Sequence, residues 1–74
     1  MSIHVTGTVE RKGFGSGTWA LVSTDGETYE LHEAPKELRH DGLKVKARGQ
    51  VREDVMTMAM IGPVLEIEHY EILT

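Results

Sequence analysis

Apolar and polar residues alternate along most of this chain with a period of two, the spacing of a strand that turns one face to a core and the other to water. Ile3, Val5, Gly7 and Val9 are interleaved with His4, Thr6, Thr8 and Glu10, which predicts a first strand with odd positions inward. Trp19 and Leu21 are in phase within Thr18 to Thr24, Tyr29 and Leu31 are in phase within Glu27 to Leu31, and Asp25-Gly26 stands between. Asp-Gly favours a two-residue turn with positive φ at both central positions, so these runs predict a hairpin. Leu43, Val45, Ala47, Gly49 and Val51 alternate with Lys44, Lys46, Arg48, Gln50 and Arg52. This most regular run predicts a fourth strand whose cations face water, because unpaired Lys and Arg are almost never fully buried.

The segment from Glu33 to Asp41 lacks that period. Pro35 suits a first helical position, Glu37 a first turn, Leu38 an inward position, and Asp41-Gly42 a stop. About one and a half turns fit, and Ala34 is a poor N-cap, so a short helix or a 3₁₀ turn is expected, with Leu38 as its plug. A long, broken last strand is expected, running from Val55 to Ile61, interrupted at Gly62-Pro63 and continuing from Val64 to Leu73. Within it Leu65 and Ile67 share one parity, Tyr70 and Ile72 the other. An extra residue near Glu68 or His69, a β-bulge, accounts for the switch. Gly7 predicts a bend where the first strand serves two neighbours, and Lys12-Gly13-Phe14-Gly15-Ser16-Gly17 reads as a loop.

Seventy-four residues make one domain, 1–74, near the size at which burial is barely sufficient for stability. With no cysteine, neither a disulfide nor a thiolate metal site is available, and core packing has to suffice. No apolar stretch follows a basic start and none reaches the length of a membrane span, so a cytoplasmic protein without membrane contact is expected. The net charge of −4 argues against affinity built mainly on neutralising phosphates.

Five strand-length runs with an insert between the third and fourth resemble the oligonucleotide/oligosaccharide-binding (OB) fold. The fold class implied is all-β with one short helix, a five-stranded antiparallel OB-fold-like Greek-key barrel. Gly7-Thr8-Val9, Lys12-Gly13-Phe14-Gly15 and Asp25-Gly26 resemble the opening of a cold-shock domain, an OB-fold family that binds single-stranded nucleic acid. That likeness covers the first third of the chain, and Glu10, Arg11 and Lys12 offer no aromatic for a stacking platform. Over nearly its whole length the chain is similar to small bacterial OB-like domains of unassigned function. Trp19-Ala20-Leu21-Val22, Tyr29-Glu30-Leu31, Pro35, Asp41-Gly42-Leu43, Gly49 and Gly62 carry that similarity. These are turn and core positions, so they imply a fold and no catalytic residue.

The fold analogy places a site on strands two and three, with the loops Lys12 to Gly17 and Arg52 to Val55. Arg11, Lys12, Phe14 and Arg52 are its candidate ligand-binding residues. The function expected is a non-enzymatic binding or interaction module without cofactor, acting as a monomer or weak oligomer on a protein or small ligand. Single-stranded nucleic acid is the alternative partner. A second alternative is soft Cu(I) binding, since Met56, Met58 and Met60 aim three thioethers to one side of a strand, although Met is also a core filler. Arg11, Lys12, Lys44, Lys46, Arg48 and Arg52 could form a basic stripe. Glu10, Glu66, Glu68 and Glu71 are expected to pair with many of these cations across strands. His4, His32, His40 and His69 show no ligand spacing with one another, and Ser2, Ser16 and Ser23 sit in no nucleophile motif. A barrel this small fills its interior with side chains, which leaves little room for a buried active site.

Overall fold

The structure, a computed structural model, describes residues 2–12, 18–54 and 61–73. Its strands are β1 (Ser2–Lys12), β2 (Thr18–Ser23), β3 (Thr28–His32), β4 (Lys44–Arg52) and β5 (Val64–Ile72), with a 3₁₀ turn at Lys36–Leu38 between β3 and β4. The sheet closes on itself in the order β1-β2-β3-β5-β4. β1 makes closure possible by serving two neighbours, pairing with β4 through Ser2–Thr8 and with β2 through Gly7–Lys12. The handover falls on Gly7, where a Cβ would stand 2.1 Å from the Val22 carbonyl oxygen, so only glycine fits.

The expectation of a wholly antiparallel sheet is corrected. β3 and β5 run parallel, with Glu30, Leu31 and His32 opposite Val64, Leu65 and Glu66, while the other four pairings are antiparallel. The reason is topological: strand direction cannot alternate all the way around a closed ring with an odd number of strands.

The hairpin is also corrected. Ser23 N donates to the Glu27 carbonyl (2.7 Å) and Gly26 N to the Ser23 carbonyl (3.0 Å), so Thr24, Asp25 and Gly26 form a three-residue loop. Gly26 has positive φ (97°) and Asp25 does not. This is a turn followed by a left-handed glycine. The Asp25 carboxylate holds it by accepting from Ser23 Oγ and from Glu27 N. These bonds hold the Asp25 carboxyl below its ordinary value, with Ser23 the larger cause.

Side chains at alternating positions fill the ring. Val9, Leu21, Leu38, Val45 and Leu65 are fully buried, and Trp19, Tyr29, Ile67 and Tyr70 pack against that core. Leu38 thus occupies the expected inward position. The insert is tighter than a helix, with Pro35 as an extended N-cap rather than a first helical residue and no side-chain cap. Gly42 N donates to the Val9 carbonyl, and Arg11 N donates to Asp41 Oδ1 (2.9 Å), which ties the exit of the insert to β1.

The bulge in β5 falls where the phase change predicts it. Arg48 pairs with His69 and Gly49 with Ile67, so Glu68 is the extra residue. Gly49 lies against it, and a Cβ there would stand 2.1 Å from the Glu66 carbonyl oxygen. Beyond the bulge Tyr70 packs on the core as expected, whereas Ile72 is 40% exposed at the strand end. Among the described residues no helix is long and apolar enough to cross a membrane.

Candidate functional site

Arg11 and Lys12 end β1 and Arg52 ends β4, and the ring does not bring them together. Cross-strand pairing sets Glu10, Ala20, Glu30, Val64 and Arg52 in one row over successive strands. Four strand spacings, about 19 Å around the ring, therefore separate the ends of this row. Lys12 Nζ lies 3.4 Å from Glu10 on its own strand. Phe14 and the trio Met56, Met58 and Met60 lie outside the described residues, as does most of the loop from Lys12 to Gly17.

Each nitrogen of the Arg52 guanidinium donates to a carboxylate. Nε donates to Asp54 Oδ1 (2.9 Å), Nη2 to Asp54 Oδ2 (2.8 Å) and Nη1 to Glu66 Oε2 (2.7 Å). The planar fork matches two carboxylate oxygens and leaves the remaining edge to the second acid. Arg52 thereby has its pKa raised, mainly by its hydrogen bond to Asp54, while that bond holds Asp54 down to about 2. These contacts fasten the end of β4 to β5. At the middle of the same row Ala20, Glu30 and Val64 are buried although they alternate with the core residues Leu21, Leu31 and Leu65.

The opposite side of the ring has a different electrostatic character. Along β4 the side chains of Lys44, Lys46 and Arg48 are exposed, as their even positions predict. Register places three rows across β1, β4 and β5: Thr8 beside Lys44, Thr6 beside Lys46 beside Glu71, and His4 beside Arg48 beside His69. The expected pairing with acids across strands is seen at Arg52 with Glu66, whereas Lys12 lies against Glu10 of its own strand. Among the described residues Lys44, Lys46 and Arg48 make no ion pair. Two of the expected partners are engaged elsewhere, since Glu66 holds Arg52 and Glu68 accepts from Gln50 Nε2 (2.8 Å).

His69 reaches this face because of the bulge. In an uninterrupted strand it would share the inward parity of Leu65 and Ile67, and the extra residue Glu68 turns it outward beside Arg48. A shallow groove of about 230 Å³ results, lined by His4, Lys46, Ala47, Arg48, His69, Tyr70 and Glu71. Tyr70 is held from below: burial first, and then the Glu37 carboxylate to which it hydrogen-bonds, raise its hydroxyl pKa. Sequence reasoning did not single out His4 and His69, which are 65 positions apart. The signal that could have found them was the predicted bulge combined with the β1–β4–β5 pairing of an OB-like ring.

Among the described residues no group of three or more His, Cys, Asp or Glu side chains is placed to hold a metal ion. His4 and His69 flank Arg48 rather than each other. The groove presents the cations Lys46 and Arg48, two imidazoles and the Glu71 carboxylate to a ligand. Comparison of the chain with protein families, curated proteins and solved structures finds no match.

Proposed function

We propose that this chain is a non-enzymatic binding module built on an OB-type barrel, and that it holds an anionic partner on the outer face of β1, β4 and the end of β5. The strand order, the insert between β3 and β4 and the closed ring support the OB assignment. The packed interior supports recognition on the outside, since Leu21, Leu38 and Leu65 fill the space a substrate would need.

One observation carries the reading: Lys44, Lys46 and Arg48 stay exposed and outside any ion pair among the described residues in a protein of net charge −4. Charge left unneutralised in an acidic protein creates a local field that attracts anions against the net repulsion. The usual OB surface over β2 and β3 is the weaker candidate, because Glu10 and Lys12 pair there and Arg52 is held by two acids.

Retention on phosphocellulose at pH 7 and low salt tests this. An acidic protein with no local cationic patch flows through, whereas this one is retained and elutes as salt rises. Lys46→Glu combined with Arg48→Glu abolishes retention, and Arg52→Gln leaves it in place. Flow-through of the unaltered protein at low salt overturns the reading.

A further inference from the structure

We infer that the groove at the His4–Arg48–His69 row is a pH-gated site for a short linear phosphate chain, free of nucleoside. This rests on the anion-binding reading above and adds to it the ligand class and its control by protons. Three observations select the ligand. Adjacent strands lie about 4.8 Å apart and residues along a strand about 3.3 Å apart, so the row is about 10 Å wide and Lys44 to Arg48 about 13 Å long. Those dimensions suit two or three linked phosphates. The groove, about 230 Å³, is smaller than the ~300 Å³ at which pockets for organic ligands begin. Finally, Tyr70 is the one described aromatic ring that lines this groove, and it is partly buried against the core, which leaves a base little ring surface to stack on.

Control by protons follows from the groups that face one another. β1 contributes His4, β4 contributes Lys44, Lys46 and Arg48, and β5 contributes His69 and Glu71. Glu68 is engaged by Gln50, and Glu37 of the insert by Tyr70. The central row carries one fixed charge, that of Arg48, and two imidazoles. Histidine changes charge between about pH 5 and 8, so acidification brings two further positive charges to either side of the guanidinium. Glu71 opposes them next to Lys46, which makes binding weak when both imidazoles are neutral.

The test is calorimetric titration of the protein with inorganic triphosphate at pH 6 and pH 8, at constant ionic strength. Affinity is expected to fall about tenfold at the higher pH, the effect of losing two partly screened charges near the ligand. A terminal phosphate group gains negative charge near pH 6 as pH rises, which by itself would strengthen binding, so the expected direction cannot come from the ligand. His4→Gln with His69→Gln keeps the weak pH 8 affinity and removes the pH dependence. Glu71→Gln strengthens binding at both pH values. Binding that does not weaken from pH 6 to pH 8, or a double histidine variant that keeps the dependence, overturns the gating. A single-stranded thymidine oligomer that binds more tightly than triphosphate under the same conditions overturns the ligand class. Either failure alongside normal phosphocellulose retention leaves the anion-binding reading standing, whereas loss of retention removes both.

Discussion

The two sides of the ring dispose of their charges differently. At the ends of β1 and β4 and the start of β5, charge is consumed internally: Arg52 is clamped by Asp54 and Glu66, and Lys12 lies against Glu10. Over β1, β4 and the end of β5, Lys44, Lys46 and Arg48 stand beside two exposed histidines without an ion pair among the described residues. The dividing line is the bulge at Glu68, before which Glu66 faces the first side and after which His69 and Glu71 face the second. A fold can thus assign opposite roles to similar residues on one strand by inserting a single position.

The largest effect is expected where the bulge is supported. Gly49→Ala drives a Cβ into the Glu66 carbonyl, 2.1 Å away, and the backbone must move. A loss of about 3 kcal/mol is expected in urea unfolding, with both faces disturbed, because overpacking against backbone cannot relax through a rotamer. A change below about 0.5 kcal/mol would mean that the strands are not in this register.

Leu38→Ala separates the core from the faces. It empties a fully buried position and should cost about 2 to 3 kcal/mol while leaving phosphocellulose retention of the folded protein unchanged. Lost retention in the folded variant would mean that the buried plug, and not the exposed cations, sets the binding face.

Lys46→Glu with Arg48→Glu should do the reverse. Exposed substitutions away from packing alter stability by about 0.5 kcal/mol or less, so the urea midpoint should hold while anion binding disappears. A large drop in midpoint would show that these cations are structural after all.

The smallest effect belongs to the clamped side. Asp54 has its folded pKa lowered from 3.8 to about 2 by Arg52, so the carboxylate contributes stability above pH 4 that is lost as pH falls towards 2. Its exposure makes that contribution minor. Arg52→Gln should flatten the acid limb of a stability profile between those values and leave the neutral region nearly untouched. An unchanged acid limb would remove the clamp.

Much of the fold was legible because a period of two is difficult to disguise. The strands and the bulge near Glu68 follow from parity along single segments, the bend at Gly7 from a glycine inside a strand, and the buried Leu38 from the start and stop signals around it. What parity does not carry is relation between segments. The parallel β3–β5 pair follows from closing a five-membered ring, and no residue in either strand announces it. The three-residue loop depends on hydrogen bonds to Asp25, which outweigh the two-residue preference of Asp-Gly. Glu33 adopts positive φ (50°) without being glycine or asparagine, so its sequence gave no turn signal. The site was the least legible part. Arg11 and Arg52 suggested themselves by charge and fold analogy, yet only the register of β1, β4 and β5 sets His4, Arg48 and His69 side by side.

Amide chemical shifts followed during titration with inorganic triphosphate at pH 6 test the division between the two sides most directly. The amides of His4, Thr6, Lys46, Arg48 and His69 should move together with one affinity, while those of Ala20, Glu30 and Val64 stay still. Movement centred on Ala20, Glu30 and Val64 instead, or none on β4, would contradict the account.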